Sequence, residues 1–366
     1  MCIWFHFLRD QQKYLIMMLI KNKVILVLAI GFILPTMVKA NEKLIKSVAF
    51  GSCLKQTRPQ PIWDSVFLAK PDVFVLLGDN IYGDTRDMEI LKNKWNTFSA
   101  ISNFQKVRSS SYLLGIWDDH DYGENDAGNE YPRKAESQQI FLDFLGEPKD
   151  SDRRKTPGIY DSVTLGPDGK RIQFILLDTR YFRTPLKRAV QRERGKGPYE
   201  PNISEGAEIL GEVQWEWLAK TLDEPAEIRI VASSIQILST SHGWETWGNF
   251  PKERERLLAL LKKTNKAGTL IISGDRHSAE ISKLEGILPH PILDITSSAM
   301  NQRQKPNEEE NPLRVGERYF NENFGLLEID WTGKSPSILA SIRSLSGEVI
   351  SEYKLENLLS KKINYR

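Results

Sequence analysis

Short runs rich in Val, Ile and Leu recur along the chain at 48–50, 73–77, 112–117, 172–177, 228–233, 269–272 and 291–295. Each is strand-length and apolar at nearly every position, which predicts strands covered on both faces. Between them, apolar positions fall at helical spacing over 62–69, 136–145, 213–222 and 253–261. The text changes after Asn323. Segments 326–329, 338–342 and 349–353 read as strands joined by Thr332-Gly333-Lys334 and Ser346-Gly347-Glu348 turns. An alternating α/β body thus ends in a β-rich tail, and packed sheets with outer helices satisfy that pattern. Two long polar stretches, 183–208 and 301–317, interrupt it. Loops of that length in a compact domain are functional or mobile.

The N-terminus reads differently. Residues 24–38, VILVLAIGFILPTMV, form a short apolar core behind Lys21 and Lys23, and Val38-Lys39-Ala40 suits cleavage after Ala40. This is the pattern of a secretory signal peptide of the Sec type, with no Arg-Arg pair before it. The alternative is an uncleaved anchor, but the run is short for a membrane span and is broken by Pro35. No stable membrane anchor is expected, and the protein is expected to be periplasmic or secreted. Residues 41–366 read as one domain, since no linker composition or internal repeat divides them.

Removing residues 1–40 takes away five Lys/Arg and one acid, leaving 45 basic and 47 acidic residues. A near-neutral chain offers no electrostatic case for nucleic acid as a structural partner. The basic cluster around Lys187–Lys196 is local, a solvated loop or one that meets an anionic substrate. A monomer is expected. Cleavage also removes Cys2, so Cys53 remains alone and no internal disulfide forms. Cys53 is then a buried small hydrophobe, a nucleophile or a metal ligand.

The residues that follow the strands carry the candidate chemistry. They are Gly51-Ser52-Cys53, Gly78-Asp79-Asn80-Ile81-Tyr82, Asp118-Asp119-His120-Asp121-Tyr122-Gly123-Glu124-Asn125, Asp178-Thr179-Arg180 and Ser273-Gly274-Asp275-Arg276-His277. Open α/β sheets bind ligands beyond the carboxyl ends of their strands. If the strands are parallel neighbours, these clusters crowd one rim. So many acids repel one another unless cations sit among them. Carboxylates suit hard cations, imidazole suits transition metals, and thiolate is a soft donor. A centre of two or more metals is the chemical expectation, with Asp79 as the candidate bridge. Two such ions clamp phosphorus for in-line displacement, one polarising phosphoryl oxygens and another generating hydroxide.

Each piece has a blander reading. Gly-Asp after a strand is often a turn. His120 reads equally as a salt-bridged surface histidine, and Asp275-x-His277 as a turn. His6 lies in the removed segment, and His290 sits between two prolines. His242 opens an aromatic-rich loop with Trp244 and Trp247, as a ligand or as part of a pocket wall.

The order Phe-Gly-Ser-Cys, Gly-Asp-x-x-Tyr, Asp-Asp-His, Gly-Asp-x-His resembles the alkaline phosphatase D (PhoD-like) branch of the metallophosphoesterases, from about Val48 to Ser298. The resemblance implies a β-sandwich of two mixed sheets flanked by helices, with the β-rich C-terminal tail in keeping. It implies a secreted phosphomonoesterase or phosphodiesterase acting on a phosphate ester, with Fe3+ and Ca2+ as cofactors. By position, Cys53, Asp79, Tyr82 and His277 resemble the ferric ligands. Asp79, Asn125 and Asp275 resemble the calcium ligands, with Asp79 shared. Asp119 and His120 resemble the part that supports the ligands or handles protons. Arg180 is our own expectation for a phosphate-facing guanidinium, because a planar fork suits phosphate.

The chain departs from the family pattern in places. Asp121 stands where Glu often follows the His, and Gly83 where an acid often follows the Tyr. No β-sandwich module precedes the Cys motif, and the export segment lacks the twin arginines of the prototype. Other readings fit less of the sequence. A cysteine phosphatase needs Arg six residues after its Cys, where this chain has Pro59. A Cys–His hydrolase leaves the carboxylates unexplained, whereas the β-rich tail and near-neutral charge allow a non-catalytic calcium-binding or adhesive protein, which would show neither iron nor turnover of a phosphodiester.

Overall fold

The computed structural model describes residues 43–356 and 358–359. The expected export segment, residues 1–40, lies outside them. Among the described residues no helix is long and apolar enough to cross a membrane.

The elements run in the order β1 (Ser47–Gly51), α1 (Ile62–Ala69), β2 (Val73–Leu77), α2 (Met88–Ser99), α3 (Ser102–Ser110), β3 (Tyr112–Ile116), α4 (Asp119–Tyr122) and α5 (Lys134–Leu145). Then come β4 (Asp161–Leu165), β5 (Ile172–Leu176), α6 (Gly211–Thr221), β6 (Ile228–Ser233), α7 (Pro251–Thr264), β7 (Thr269–Ser273), β8 (Ala279–Leu284) and β9 (Ile292–Ser297). The chain closes with β10 (Arg314–Tyr319), β11 (Asn323–Asp330), β12 (Ser337–Ser344) and β13 (Val349–Leu355).

These strands form two mixed sheets, β13-β12-β11-β1-β2-β3 and β10-β8-β9-β7-β6-β5-β4. In the first sheet β1, β2 and β3 are parallel, and the tail strands add antiparallel through β11. In the second, β5, β6, β7 and β9 are parallel. The strands converge on one end from two mixed sheets, the sandwich that the family resemblance implied.

The continuous apolar runs follow from this layering. In the second sheet Phe174, Ile230, Leu270 and Ile272 point into the core shared with Val48, Val75 and Leu327 of the first. Their neighbours Ile175, Val231 and Ile271 face the other way, onto Trp215 and Leu218 of α6 and Leu257 and Leu261 of α7. Period-2 alternation disappears because both faces are covered. On the outer face of the first sheet, Trp63, Trp95, Phe98, Phe104 and Phe141 of the helices close against one another. Elements absent from the sequence reading are α2, α3, α4, β4, β8 and β10. The last falls partly inside the stretch expected as loop, 301–317, because it is a polar strand at the sheet edge.

Asp178 joins the sheets. It follows β5 in the second sheet, and one of its carboxylate oxygens accepts the indole N–H of Trp117, just beyond β3 in the first, at 3.0 Å. It also accepts the backbone N–H groups of Ile159, Arg180 and Tyr181, each at 2.9 Å. This carboxylate, read from sequence as part of the reactive rim, is therefore spent on backbone and indole donors. Asp178→Ala strands several buried donors, each costing ~1–3 kcal/mol. A loss of at least ~3 kcal/mol in urea unfolding is expected, with Asp178→Asn losing less because it keeps an acceptor.

Candidate metal centre

The turns after β1, β2 and β7 meet at one point. Cys53 N–H donates to Gly78 O at 3.3 Å and Leu54 N–H to Asp79 O at 2.8 Å. Within the second sheet's end Gly274 N–H donates to Ser234 O at 3.1 Å, and across the sheets Met300 N–H donates to Ser52 O at 3.0 Å. Gly274 permits this approach: a Cβ there would lie 2.7 Å from Ser52 Oγ and 2.9 Å from both Leu77 O and Ser234 O. The residues carried on these turns are held in the left-handed region, with φ of 57° at Cys53, 51° at Asp79, 67° at Asp275 and 50° at His277. Such conformations cost about 1 kcal/mol or more in non-glycine residues and cluster where side chains must be aimed.

Those side chains converge. Cys53 Sγ lies 3.5 Å from Asp79 Oδ2. The Tyr82 hydroxyl lies 3.3 Å from the same oxygen and 3.0 Å from His277 Nε2. Ser298 fastens the group, because its Oγ accepts His277 N–H at 2.9 Å and stands 3.1 Å from the sulfur. With the serine oxygen occupied as acceptor, its hydroxyl proton is free for the sulfur, which is the arrangement a thiolate wants.

A second group of donor atoms, from Asp79, Asp119 and His120, shares Asp79, and a third joins Asp119, Asp126 and Glu245. Of these, Asp79, His277, Asp119, His120, Asp126 and Glu245 border a cavity of about 310 Å³, together with Asn125, Asp275, Arg276 and Trp244, whereas Cys53 and Tyr82 do not line it. Asn125 and Asp275 thus share the cavity, but neither belongs to the tight contact set around Cys53. Asp275 is still near enough for its charge to add to the rise of the Cys53 thiol.

The electrostatics fit bound cations. Burial, then Asp275, pushes the Cys53 thiol up to about 12. Burial also drives Asp79 and Tyr82 well up, and Asp79 Oδ1 is buried without any hydrogen-bond partner. A thiol, a phenol and a carboxyl that burial forces neutral become anionic ligands once positive charge sits among them. His277 is pushed down to about 4 by burial and by the charges of His120 and Arg276, so its imidazole is in the neutral, ligating form. Thiolate, phenolate, carboxylate and imidazole around one point suit a transition metal, and the carboxylates beside it suit a hard cation.

His120 behaves oppositely. Burial lowers it, but the carboxylates of Asp79, Asp119 and Asp84 outweigh burial and hold it at about 11. Its Nδ1 lies 2.6 Å from Asp84 Oδ1, and its ring packs 4.2 Å from that of Tyr82. Asp119 is kept ionised against burial by His120 and Arg180. Its carboxylate accepts the N–H groups of His120 at 2.8 Å and Asp126 at 2.7 Å.

Arg180 corrects an expectation. Its side chain is fully buried, with Nε 2.6 Å from Asp118 Oδ1 and Nη1 2.7 Å from Glu245 Oε2. Arg183, equally buried, meets Glu245 at 3.0 Å. The guanidinium is consumed behind the cavity wall and does not face it. His242 is likewise placed in the wall: its buried Nδ1 accepts the Trp244 N–H at 3.0 Å, and it belongs to none of the three donor groups. The sequence reading gives Asp84, Ser298, Asp126 and Glu245 no role, and Arg276 appears in it only as part of the Asp275–His277 turn. The strand-end rule that found Cys53 and Asp79 also marks Ser298, one residue past β9. Asp84 supplies, one position later, the acid that Gly83 lacks.

The sequence model of the PhoD-like phosphatase family matches residues 49–323. The chain belongs to the PhoD-like phosphatase family. Alkaline phosphatase D of Bacillus subtilis (strain 168) is 24% identical over 225 residues, 57% of this chain and 37% of that protein. The chain thus spans little more than a third of that relative's length. A solved structure of PhoD superposes with a TM-score of 0.65 at 16% identity, covering 86% of this chain and 73% of that one. A purple acid phosphatase from yellow lupin (Lupinus luteus) seeds gives 0.59 at 13% identity, covering 86% and 54%. A dimetal phosphatase from Danio rerio gives 0.54 at 13%, covering 85% and 99%. The PhoD-like sandwich of two mixed sheets with outer helices is therefore the fold of this chain.

The buried Arg180 of this PhoD-like chain has a measurable consequence. Arg180→Met leaves Asp118 and Glu245 buried with a partner removed, a change that costs about 3–5 kcal/mol. A large drop in thermal midpoint is expected. A stable variant with a raised KM for phosphate esters would restore the phosphate-facing role.

Proposed function

We propose that this protein is an exported metal-dependent phosphoric ester hydrolase, with residues 41–366 as its catalytic domain after loss of residues 1–40. The observation that carries the reading is the meeting of Cys53, Asp79, Tyr82 and His277 beside the positively charged His120, with Asp79, His277 and His120 bordering one cavity. Family membership points the same way. In this reading Cys53, Asp79, Tyr82 and His277 hold a ferric ion, and Asp79, Asn125 and Asp275 hold calcium. Bound cations supply Lewis acidity toward the phosphoryl oxygens and lower the pKa of the attacking water.

The chain's own residues do the rest. The left-handed turns fix the donor atoms before any ligand arrives, so little reorganisation is needed on binding. Asp119 pins the turn that carries His120 through backbone N–H groups and does not itself transfer a proton. Asp84 grips His120 at Nδ1, which leaves Nε2 to deliver a proton to the departing alkoxide. Arg276, also at the cavity, is tied to Glu309 at 2.8 Å and adds positive charge beside Asp275.

The acid role of His120 predicts a dependence on the leaving group. General acid catalysis contributes ~10²–10⁴-fold. His120→Ala should lose that factor on alkyl esters and far less on p-nitrophenyl esters, whose leaving group departs without a proton. Equal losses in steady-state assays of both would assign His120 a positional role.

The metal assignment is tested by elemental analysis and absorption spectroscopy on the same sample that is assayed on mono- and diesters. Thiolate and phenolate bound to a ferric ion transfer charge to it under light, so the protein should be coloured and contain iron. Cys53→Ser should shift or weaken the visible band and loosen iron, because a soft donor is replaced by a poorer one. A colourless, iron-free protein with full turnover would remove Cys53 from the metal site.

A further inference from the structure

Trp244 is a large apolar side chain left 37% exposed, and it borders the same cavity as Asp79, His120 and His277. Its position is fixed from several sides. Its own N–H donates to the buried Nδ1 of His242 at 3.0 Å. The next residue, Glu245, is locked by Arg180 and Arg183 inside the wall. The preceding residues are stitched to the basic loop, with Gly197 N–H donating to His242 O and Tyr199 N–H to Gly243 O, each at 2.8 Å. Gly197 allows this closeness, since a Cβ there would fall 2.3 Å from Gly243 O. From that loop the Arg192 guanidinium lies over the indole, 5.2 Å from the ring centroid, and its Nε donates to Lys196 O at 2.7 Å.

The backbone that carries this exposed indole is held on several sides, and one face of the ring is already covered by a cation. What remains at the cavity mouth is a flat, apolar, electron-rich surface beside the reacting group. Such a surface favours a planar π-system over a puckered ring of the same size. Resting on the phosphoester reading above, we propose that Trp244 is the specificity-determining residue of an ester-arm subsite. The subsite takes phosphate esters carrying a flat arm, aryl or heterocyclic. The long basic loop 183–208 then serves as the brace that presents Trp244, with Arg192 stacked behind it. His242 and Gly197 are positioning residues of the same wall.

Benzylphosphonate and cyclohexylmethylphosphonate carry the same head group and arms of similar size, and only the first is flat. Neither is hydrolysed, so binding is read without turnover. Titration calorimetry on the metal-replete full chain should find the benzyl compound bound about tenfold tighter, the order expected of one aromatic stack. Trp244→Ala should abolish the preference, while Trp244→Phe should keep most of it. Equal affinities in the unaltered protein, an unchanged ratio in Trp244→Ala, or no binding of either compound would overturn the subsite. Turnover of bis(p-nitrophenyl) phosphate, measured separately, reports on the hydrolase reading. Turnover without a benzyl preference removes the subsite alone, and a benzyl preference without turnover on any ester removes the hydrolase reading alone.

Discussion

A buried carboxylate left short of hydrogen-bond partners is the constraint around which the protein is arranged. Asp79 is 2% exposed, one of its oxygens has no partner, and the other faces a thiol and a phenol. Ionising it there by itself would cost several kcal/mol, so an apolar enclosure alone would keep it neutral. The fold instead gathers further potential anions around it and holds their turns in left-handed conformations. Repulsion and strain of that kind persist only where the rest of the structure over-determines them. Cations relieve both together, which is why strain, burial and ligand chemistry coincide on the same residues.

The positive charges of the protein are distributed with the same logic. Arg180 and Arg183 are fully buried, yet they serve Asp118 and Glu245 and stay out of the cavity. They neutralise the outer carboxylates, so that the inner ones remain for ligands. Their desolvation is offset because each guanidinium meets carboxylate oxygens within hydrogen-bond distance. His120 takes the opposite station. Only partly enclosed, it draws its charge from Asp79, Asp119 and Asp84 and keeps a proton well above neutral pH. The arginines and the histidine are cations near the same acids, and depth decides that the arginines stay behind the wall while the histidine borders the cavity.

Much of this was legible in the sequence, for a physical reason. Strands covered on both faces are apolar throughout, so polar residues immediately after them stand out. That contrast marked Cys53, Asp79, Asp119 and Asp275 without any knowledge of the fold. It failed where the same signal has another use. Asp178 follows β5 just as Asp79 follows β2, but its oxygens are taken by Trp117 and three backbone N–H groups. Nothing local distinguishes the two acids, since the difference lies in which groups the opposite sheet brings near. Arg180 misled for the same reason, its partners Asp118 and Glu245 being 62 and 65 residues away. The edge strands β4 and β10 escaped because edge positions are half exposed and read as polar loop. Helix α2 had its signals in plain view, with an Asp87 cap and Leu91, Trp95 and Phe98 on one face.

The centre also ties the order of assembly to function. Cys53, Asp79 and Tyr82 come from the first sheet, while Asp275, His277 and Ser298 come from the second. Neither sheet alone contains the site, and Ser298, 245 residues from Cys53, closes it only when the two have docked. Docking brings together groups whose charged forms oppose one another, so in the absence of cations the last contacts to form are among the least favourable. A ligand that binds the docked state and not the undocked one shifts that balance by mass action. In the proposed reading, cations bound here would therefore act on the fold as well as on the substrate, by completing the junction of the two sheets.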